Sequence, residues 1–224
     1  MKKTFFLCFS VVALLTFSGC NKDDSNSGGD ITIVEWVDLG LPSGLLWATC
    51  NVGASASEEY GDYFAWGETQ PKEVYDWDTY AYGNASNQLT KYCHKSEYGL
   101  NGFTDNLTTL EPDDDAATVR LGNGARTPTA DEWQELIDNT TSEWTTKNGV
   151  NGRRFIAANG NSVFLPAAGQ RENGLRDDGV RGFYWSASLG NMPFRARFFK
   201  FGSSQRMDSD NRHEGYSVRA VRAK

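Results

Sequence analysis

The chain holds only two histidines and four cysteines in 224 residues. His94 and His213 lie far apart in polar segments, with no recognisable serine or cysteine motif beside either. An acyl-transfer triad needs a histidine within reach of a nucleophile, so that chemistry has no footing here. Two dispersed histidines also lack the clustered spacing of a zinc site, and no metal or other cofactor is expected. Basic runs are missing as well. The 22 Lys and Arg are scattered, and 29 acids bring the formal charge to −7. Nothing is concentrated enough to follow a phosphate backbone, which argues against nucleic acid as a partner. Carboxylates are plentiful, yet no two stand out as a pair of catalytic acids. The chain is therefore expected not to be an enzyme, and no catalytic residue is named.

One apolar run, Phe5 to Phe17, follows Lys2 and Lys3 and ends in small residues. Residues 1–19 have the form of a secretory signal, too short for a stable membrane span. The residues Phe17, Ser18, Gly19 and Cys20 resemble the bacterial lipobox, which implies that Cys20 is acylated and becomes the mature N-terminus. Several acyl chains make a stable anchor, at about 0.8 kcal/mol per buried methylene. Cys20 is followed by Asn21, Lys22, Asp23 and Asp24, which is similar to the surface-export signal of Bacteroidetes lipoproteins. That similarity implies an outer-membrane protein facing the cell exterior. Ser25 to Gly29 is a flexible tether, so residues 20–30 separate anchor from domain. Losing residues 1–19 removes two of the 22 basic residues and none of the 29 acids, leaving 20 against 29, or −9. Such a body does not bind anionic lipid on its own, and the acyl chains must hold it. Cys8 leaves with the signal. Cys50 and Cys93 remain in an oxidising compartment, where their spacing fits a disulfide or two separate thiols.

Residues 31–224 suit one domain. Ile31 to Leu39 is β-branched and aromatic, Leu41 to Gly44 supplies a turn, and Leu45 to Thr49 is the returning strand. From Asn51 to Thr109 neither period persists, but Tyr60, Tyr63, Phe64, Trp66, Tyr75, Trp77, Tyr80 and Tyr82 recur among glycines. This is expected to be an irregular excursion pinned by buried rings. Thr129 as N-cap with Glu132 three residues on predicts a helix over Ala130 to Ile137. A shorter helix is expected from Asp114 to Arg120, its acids at the positive end. Strands at Arg153 to Ala157 and Ser162 to Leu165 flank the turn pair Asn159 and Gly160. Three more follow at Gly182 to Ser188, Phe194 to Phe201 and Tyr216 to Arg222. The fold class is α+β, with small antiparallel sheets, about two helices and long irregular loops. Between the last two strands runs GSSQRMDSDNRHEG, Gly202 to Gly215, with Met207 as its one strongly apolar residue. This run is expected to be a loop, or a loop with an irregular strand, held out for recognition by a rigid frame.

Six segments, VDLGLPSGLLWATCNVGA, EEYGDYFAWGET, RTPTADEWQELI, GNSVFLPAAG, FYWSAS and GYSVRAVR, span Val37 to Arg222. In that order they resemble the Fibrobacter succinogenes major paralogous domain. This family is related to the C-type lectin-like fold and, more remotely, to formylglycine-generating enzymes. The resemblance implies that the N- and C-terminal strands pair and that loops gather on one side. It implies a non-catalytic module binding a protein or glycan through Arg171, Arg176, Leu189, Asn191, Met192, Phe194, Gln205, Arg206, Asp208, Asp210, Asn211, Arg212 and His213. The alternative is a structural or accessory subunit of a surface assembly or fimbria-like polymer. Related domains are targets of diversity-generating retroelements, and a fixed frame around a varied interior is the pattern of such a target. Glu111, Pro112 and Asp113 are similar to a calcium motif of sugar-binding lectins. The partner Trp-Asn-Asp motif is absent and a helix-like DDAATVR follows, so calcium is not expected. Neither Cys50 nor Cys93 occupies the position of the copper-binding pair of formylglycine-generating enzymes.

Overall fold

The computed structural model describes residues 34–224. Cys20, Lys22, Asp23 and Asp24 lie outside the described residues, as does the start of the strand expected from Ile31. The chain passes in order through β1 (Trp36–Asp38), β2 (Leu46–Asn51), β3 (Tyr63–Phe64), α1 (Ala116–Leu121), α2 (Ala130–Asp138), β4 (Thr140–Lys147) and β5 (Val150–Ala157). Then come β6 (Ser162–Pro166), β7 (Gln170–Glu172), β8 (Gly174–Arg176), β9 (Gly182–Leu189), β10 (Arg195–Phe201), β11 (Gln205–Asn211), β12 (Tyr216–Ser217) and β13 (Arg219–Arg222). Among the described residues four sheets result, with strand orders β1-β2-β13, β11-β10-β9-β12-β3, β4-β5-β6 and β7-β8. Pairing is antiparallel except between β12 and β9. The architecture is α+β with small sheets, as expected.

One expected pairing is different. The last strand lies on β2, with Arg219 opposite Asn51 and Val221 opposite Trp47, while β1 occupies the other edge of β2. The reason is burial: Trp47, Ala48, Cys50 and Asn51 are all covered, so β2 must be a central strand. The two ends of the domain still meet. Lys224 Nζ stands 2.8 Å from Asp38 Oδ2, and the Arg222 guanidinium lies 4.5 Å from the Trp36 ring centre.

The core sits on both faces of β9 and β10. Side chains alternate across a strand, so Phe183, Trp185 and Phe198 join one apolar cluster while Tyr184, Phe199 and Phe201 join the other. Helix α2 covers the second cluster, its Trp133 stacked on Phe199 at 5.0 Å and edge-on to Trp47 at 4.9 Å. The helix begins as expected: Thr129 Oγ1 accepts from Glu132 N at 3.3 Å, and Glu132 Oε2 accepts from Thr129 N at 2.8 Å. Removing one arm of such a box costs about 1 kcal/mol. Thr129→Ala should therefore lower the unfolding free energy in urea by that amount, and a loss of only a tenth or two would deny the cap its role.

The first helix starts two residues later than expected, at Ala116, after a 3₁₀ turn at Pro112–Asp114. Asp115 caps it, accepting from Ala117 N at 2.9 Å and from Thr127 N at 2.8 Å. Asp114 points inward. Its carboxylate accepts from the Tyr82 hydroxyl and from Lys91 Nζ, each at 2.6 Å, and from the Tyr92 hydroxyl. The acids are buried acceptors more than ornaments of a helix end. The excursion from Asn51 to Thr109 is pinned by rings as expected. Tyr75 donates to Tyr63 O at 2.6 Å, Tyr80 to Trp66 O at 2.7 Å, and the Trp66 indole to Ser186 O at 2.8 Å.

One hairpin turn needs correction. Asn159 and Gly160 are not a two-residue left-handed turn. Gly160 N bonds Ala157 O at 3.0 Å and Gly160 alone has positive φ, so the loop has three residues with glycine in the bulge position. The two-residue turn is Asn148 and Gly149, at φ +48° and +85°, and it joins β4 to β5. Strand β4 was not anticipated. Cys50 and Cys93 are separate buried thiols.

Candidate functional site

The polar run from Gly202 to Gly215 is ordered in two different ways. From Gln205 to Asn211 it is a regular strand, β11, paired with β10 at every position from Phe201 opposite Gln205 to Arg195 opposite Asn211. The expected loop is thus the edge strand of the five-stranded sheet. Its odd positions share a face with Phe199 and Phe201, and Met207 packs into the cluster beneath α2. Its even positions, Arg206, Asp208 and Asp210, lie on the opposite face. Arg206 Nη2 stands 2.9 Å from Asp208 Oδ2, and Asp210 Oδ2 accepts from the Tyr216 hydroxyl at 3.0 Å. Charges along an edge prevent another strand from adding to it.

Beyond Asn211 the chain turns inward, and here the display surface fails. Arg212 is 0% exposed, His213 7% and Glu214 8%. Arg212 donates to Lys91 O at 3.0 Å and Tyr92 O at 3.1 Å, with its guanidinium 5.2 Å from the Tyr80 ring centre and 5.6 Å from that of Trp66. It fastens the aromatic excursion to the sheet and is not available to a ligand. His213 lies against Trp77 at 4.7 Å between ring centres. Leu189 is likewise buried, in the first core cluster. These three are corrected from ligand-binding to packing residues, because each is buried against the fold's own rings or apolar side chains.

The remaining expected residues do not form one patch. Arg171 exchanges two 2.8 Å backbone bonds with Gly215, which seats the β7–β8 hairpin beside the inward turn. Arg176 pairs with Glu172 at 2.7 Å, and Arg171 lies 5.2 Å from the Tyr63 ring centre. On the other side Phe194 O accepts from Arg212 N at 3.1 Å, while the Phe194 ring tilts against Tyr98 at 5.4 Å. Met192 Sδ is 3.8 Å from Lys95 Nζ, and Asn191 is exposed. Gln205 and Arg206 lie at the far end of β11, about 20 Å from Asn211 at strand rise. Asn191, Arg195 and Arg206 are exposed, whereas Leu189, Met207, Arg212 and His213 pack against the fold.

The inward turn holds an unusual set of ionisable groups. Burial, reinforced by the neighbouring carboxylates Glu172 and Asp210, pushes the Glu214 carboxyl up to about 8. Burial holds His213 below its ordinary value, and its Nδ1 has no partner among the described residues. His213 Nε2 is 3.5 Å from Glu214 Oε1. Perturbed groups of this kind mark sites worth testing, but buried networks also produce them.

A cleft of about 760 Å³ lies elsewhere, between β2, the loop at residues 55–58 and one face of the sheet β4-β5-β6. Hydroxyls of Thr49, Ser57 and Thr145, carboxylates of Glu35 and Glu58, and the cations Lys147 and Arg154 share its wall. The tip of the β4–β5 hairpin closes one end: Lys147 Nζ donates to Ser57 Oγ and Asn148 Nδ2 to Glu58 Oε1. Cys50 lines the floor, its thiol pushed up by burial. Donors, acceptors and both signs of charge around an open volume of this size suit a polar ligand. Sequence reasoning missed the cleft because it missed β4. The signal was the Asn148-Gly149 pair, which demands a hairpin; nothing local joins Ser57 to Lys147, 90 residues away. No family model matches the chain, and no curated protein or solved structure matches it.

Proposed function

We propose that the chain is a surface lipoprotein whose domain, of C-type lectin-like kind, binds a protein or glycan without transforming it. Cys20 carries the lipid, and Lys22, Asp23 and Asp24 direct it to the outer face of the outer membrane. The observation that carries the binding reading is the 760 Å³ polar cleft, whose wall offers hydroxyls, carboxylates and cations together. The charged edge of β11 favours a free module over a subunit that polymerises by strand exchange, since Arg206, Asp208 and Asp210 oppose strand addition.

Two measurements test this. Cys20→Ala should move the full chain from the membrane fraction to the soluble one and abolish fatty-acid labelling; retention in the membrane would remove the anchor. An array of glycans and peptides probed with the full chain should retain a ligand. Arg154→Ala with Lys147→Ala should weaken that binding at least tenfold while the circular dichroism stays unchanged. A retained ligand indifferent to those changes, or one chemically altered by the protein, overturns the cleft reading.

A further inference from the structure

Strand β4 has eight residues, as many as any strand among the described residues, and it lies at the edge of its sheet. Its pairing with β5 runs without a bulge from Thr140 opposite Ala157 to Lys147 opposite Val150. Lys147 and Val150 flank a two-residue turn, and such a closing pair exchanges both of its backbone hydrogen bonds. Bonded pairs alternate along an antiparallel ladder, so Thr145, Glu143 and Thr141 also give their amides and carbonyls to β5. Thr140, Ser142, Trp144 and Thr146 therefore turn theirs outward. The far side of β5 agrees. Asn151 O, opposite Thr146, accepts from Ala167 N at 2.8 Å, and Ala157 N, opposite Thr140, donates to Asn161 O at 2.9 Å. Among the described residues nothing bonds the outward backbone groups of β4.

A free row of this length is a template for another strand. Strand β11 guards its edge with Arg206, Asp208 and Asp210, whereas β4 carries no proline and only two charges, Glu143 and Lys147. Two copies of one strand that pair antiparallel are related by a twofold axis, and the residue on the axis names the register. Glu143 and Lys147 have opposite signs and stand four residues apart. With the axis at Thr145, each glutamate lies opposite the lysine of the other copy. An axis at Trp144 sets both charges opposite threonines, and an axis at either charge sets like against like.

The contacts these two residues already make are compatible with that register. Arg154 reaches Glu143 from the β5 side at 2.5 Å, and Glu58 lies 3.8 Å from Lys147. The Glu143 and Lys147 side chains are each still 49% exposed. Charges would then alternate along the row: Arg154, Glu143, then Lys147 and Glu58 of the second copy. The register also sets Trp144 opposite Thr146 of the second copy and diagonal to its Trp144. Diagonal Cβ atoms are about 7–8 Å apart, within reach of large rings. This covers an indole that is 41% exposed and meets Phe201 at 6.4 Å. Trp144 and Thr146 are both outward residues, so each of the two Trp-Thr pairs exchanges two backbone bonds. Exposed ion pairs contribute little energy; here the charges select the register while the backbone and the indoles hold it.

We propose that β4 is the contact between two copies of this chain, paired antiparallel about Thr145 so that two three-stranded sheets become one. The contact is isologous and closes on itself, so it yields a dimer and not a fibre. Its axis is normal to the sheet, so the two clefts face the same way. The pairing does not depend on what the cleft binds.

The test is sedimentation equilibrium of the full chain in density-matched neutral detergent. It should show a reversible dimer with a dissociation constant of about 10 μM, since a one-strand contact is smaller than a standard interface. Thr146→Pro removes an outward amide without breaking a β4–β5 backbone bond, and should weaken the dimer at least tenfold. Glu143→Lys and Lys147→Glu should each do the same, because like charges then face each other. An equimolar mixture of those two variants should recover a mixed dimer, each lysine meeting a glutamate. On mild oxidation Thr145→Cys should crosslink to its own copy directly opposite, while Thr141→Cys, on the same face, should not. Circular dichroism verifies that each variant is folded. A monomer at about 100 μM, well above the expected constant, overturns the proposal. So does an open-ended oligomer, a dimer indifferent to Thr146→Pro, a mixture no tighter than its components, or equal crosslinking at positions 141 and 145. A chain that stays monomeric and takes up extended peptides along β4 overturns it as well. A monomer that still binds its ligand leaves the cleft reading intact.

Discussion

Arg212→Ala should lower the unfolding free energy by about 3–5 kcal/mol, from two orphaned carbonyls and the space left behind. The guanidinium is fully buried and holds the carbonyls of Lys91 and Tyr92 at 3.0 and 3.1 Å, on loops about 120 residues away in sequence. Each carbonyl left without a donor costs roughly 1–3 kcal/mol. A contrary term exists, because removing a buried cation recovers its desolvation cost. Arg212→Met separates the two. It keeps much of the volume and removes the charge, so a loss of about 2 kcal/mol would be assigned to the carbonyls, and a gain would mean that desolvation dominates. Urea unfolding gives the numbers. Amide exchange at residues 80–95 should rise in both variants, since the arginine holds that segment down. A ligand-contacting Arg212 would behave in the opposite way: binding would fall and stability would stay. A loss below about 1 kcal/mol in Arg212→Ala would remove the residue's fastening role.

The same residue shows where the sequence stops being informative. The α2 start was legible because Thr129 and Glu132 are three apart and their bonds are local. The strands β9 and β10 were legible because FYWSAS and FRARFFKF place apolar groups on both faces, which only a buried strand tolerates. Strand β4 was not, because TTSEWTTK is half-exposed or exposed throughout and carries no alternation. Strand β11 was not, because Met207 is its one apolar residue and β10 imposes its conformation from outside. Arg212 and His213 look like surface residues in any local window. Their burial is decided by carbonyls and rings that reach them only once the fold has closed: Trp66, Tyr80 and Tyr92 for the arginine, Trp77 for the histidine. The cleft was illegible for the same reason, since it depends on which way β4 faces.

Glu214→Gln should remove a pH dependence that the unmodified protein shows between pH 5 and 9. Burial and the carboxylates Glu172 and Asp210 push the Glu214 carboxyl up to about 8, with Arg176 pulling the other way. In the unfolded chain the group returns to its ordinary value of about 4.3. The folded state therefore holds this proton more tightly. The stability it gives is full below about pH 4 and is lost as pH rises towards 8, with a limiting slope of about 1.4 kcal/mol per pH unit. Allowing for solvent screening and relaxation at the turn, the loss from pH 5 to 9 should be roughly 2–4 kcal/mol. His213 acts on the other side. Burial lowers its value, with Glu172, Asp76 and Asp210 raising it and Lys72 lowering it. Neutral histidine suits the fold, so its contribution is lost as pH falls through and below the ordinary value of about 6.5. Urea midpoints measured across this range should show Glu214→Gln equal to the unmodified protein near pH 5 and more stable at pH 9. Parallel curves for the two proteins would mean that Glu214 ionises freely and that the turn does not bury it. The location gives the effect its reach: Gly215 bonds Arg171 of the β7–β8 hairpin, and Arg212 bonds Phe194 O. A charge forced onto Glu214 loosens the corner at which both neighbouring segments are attached.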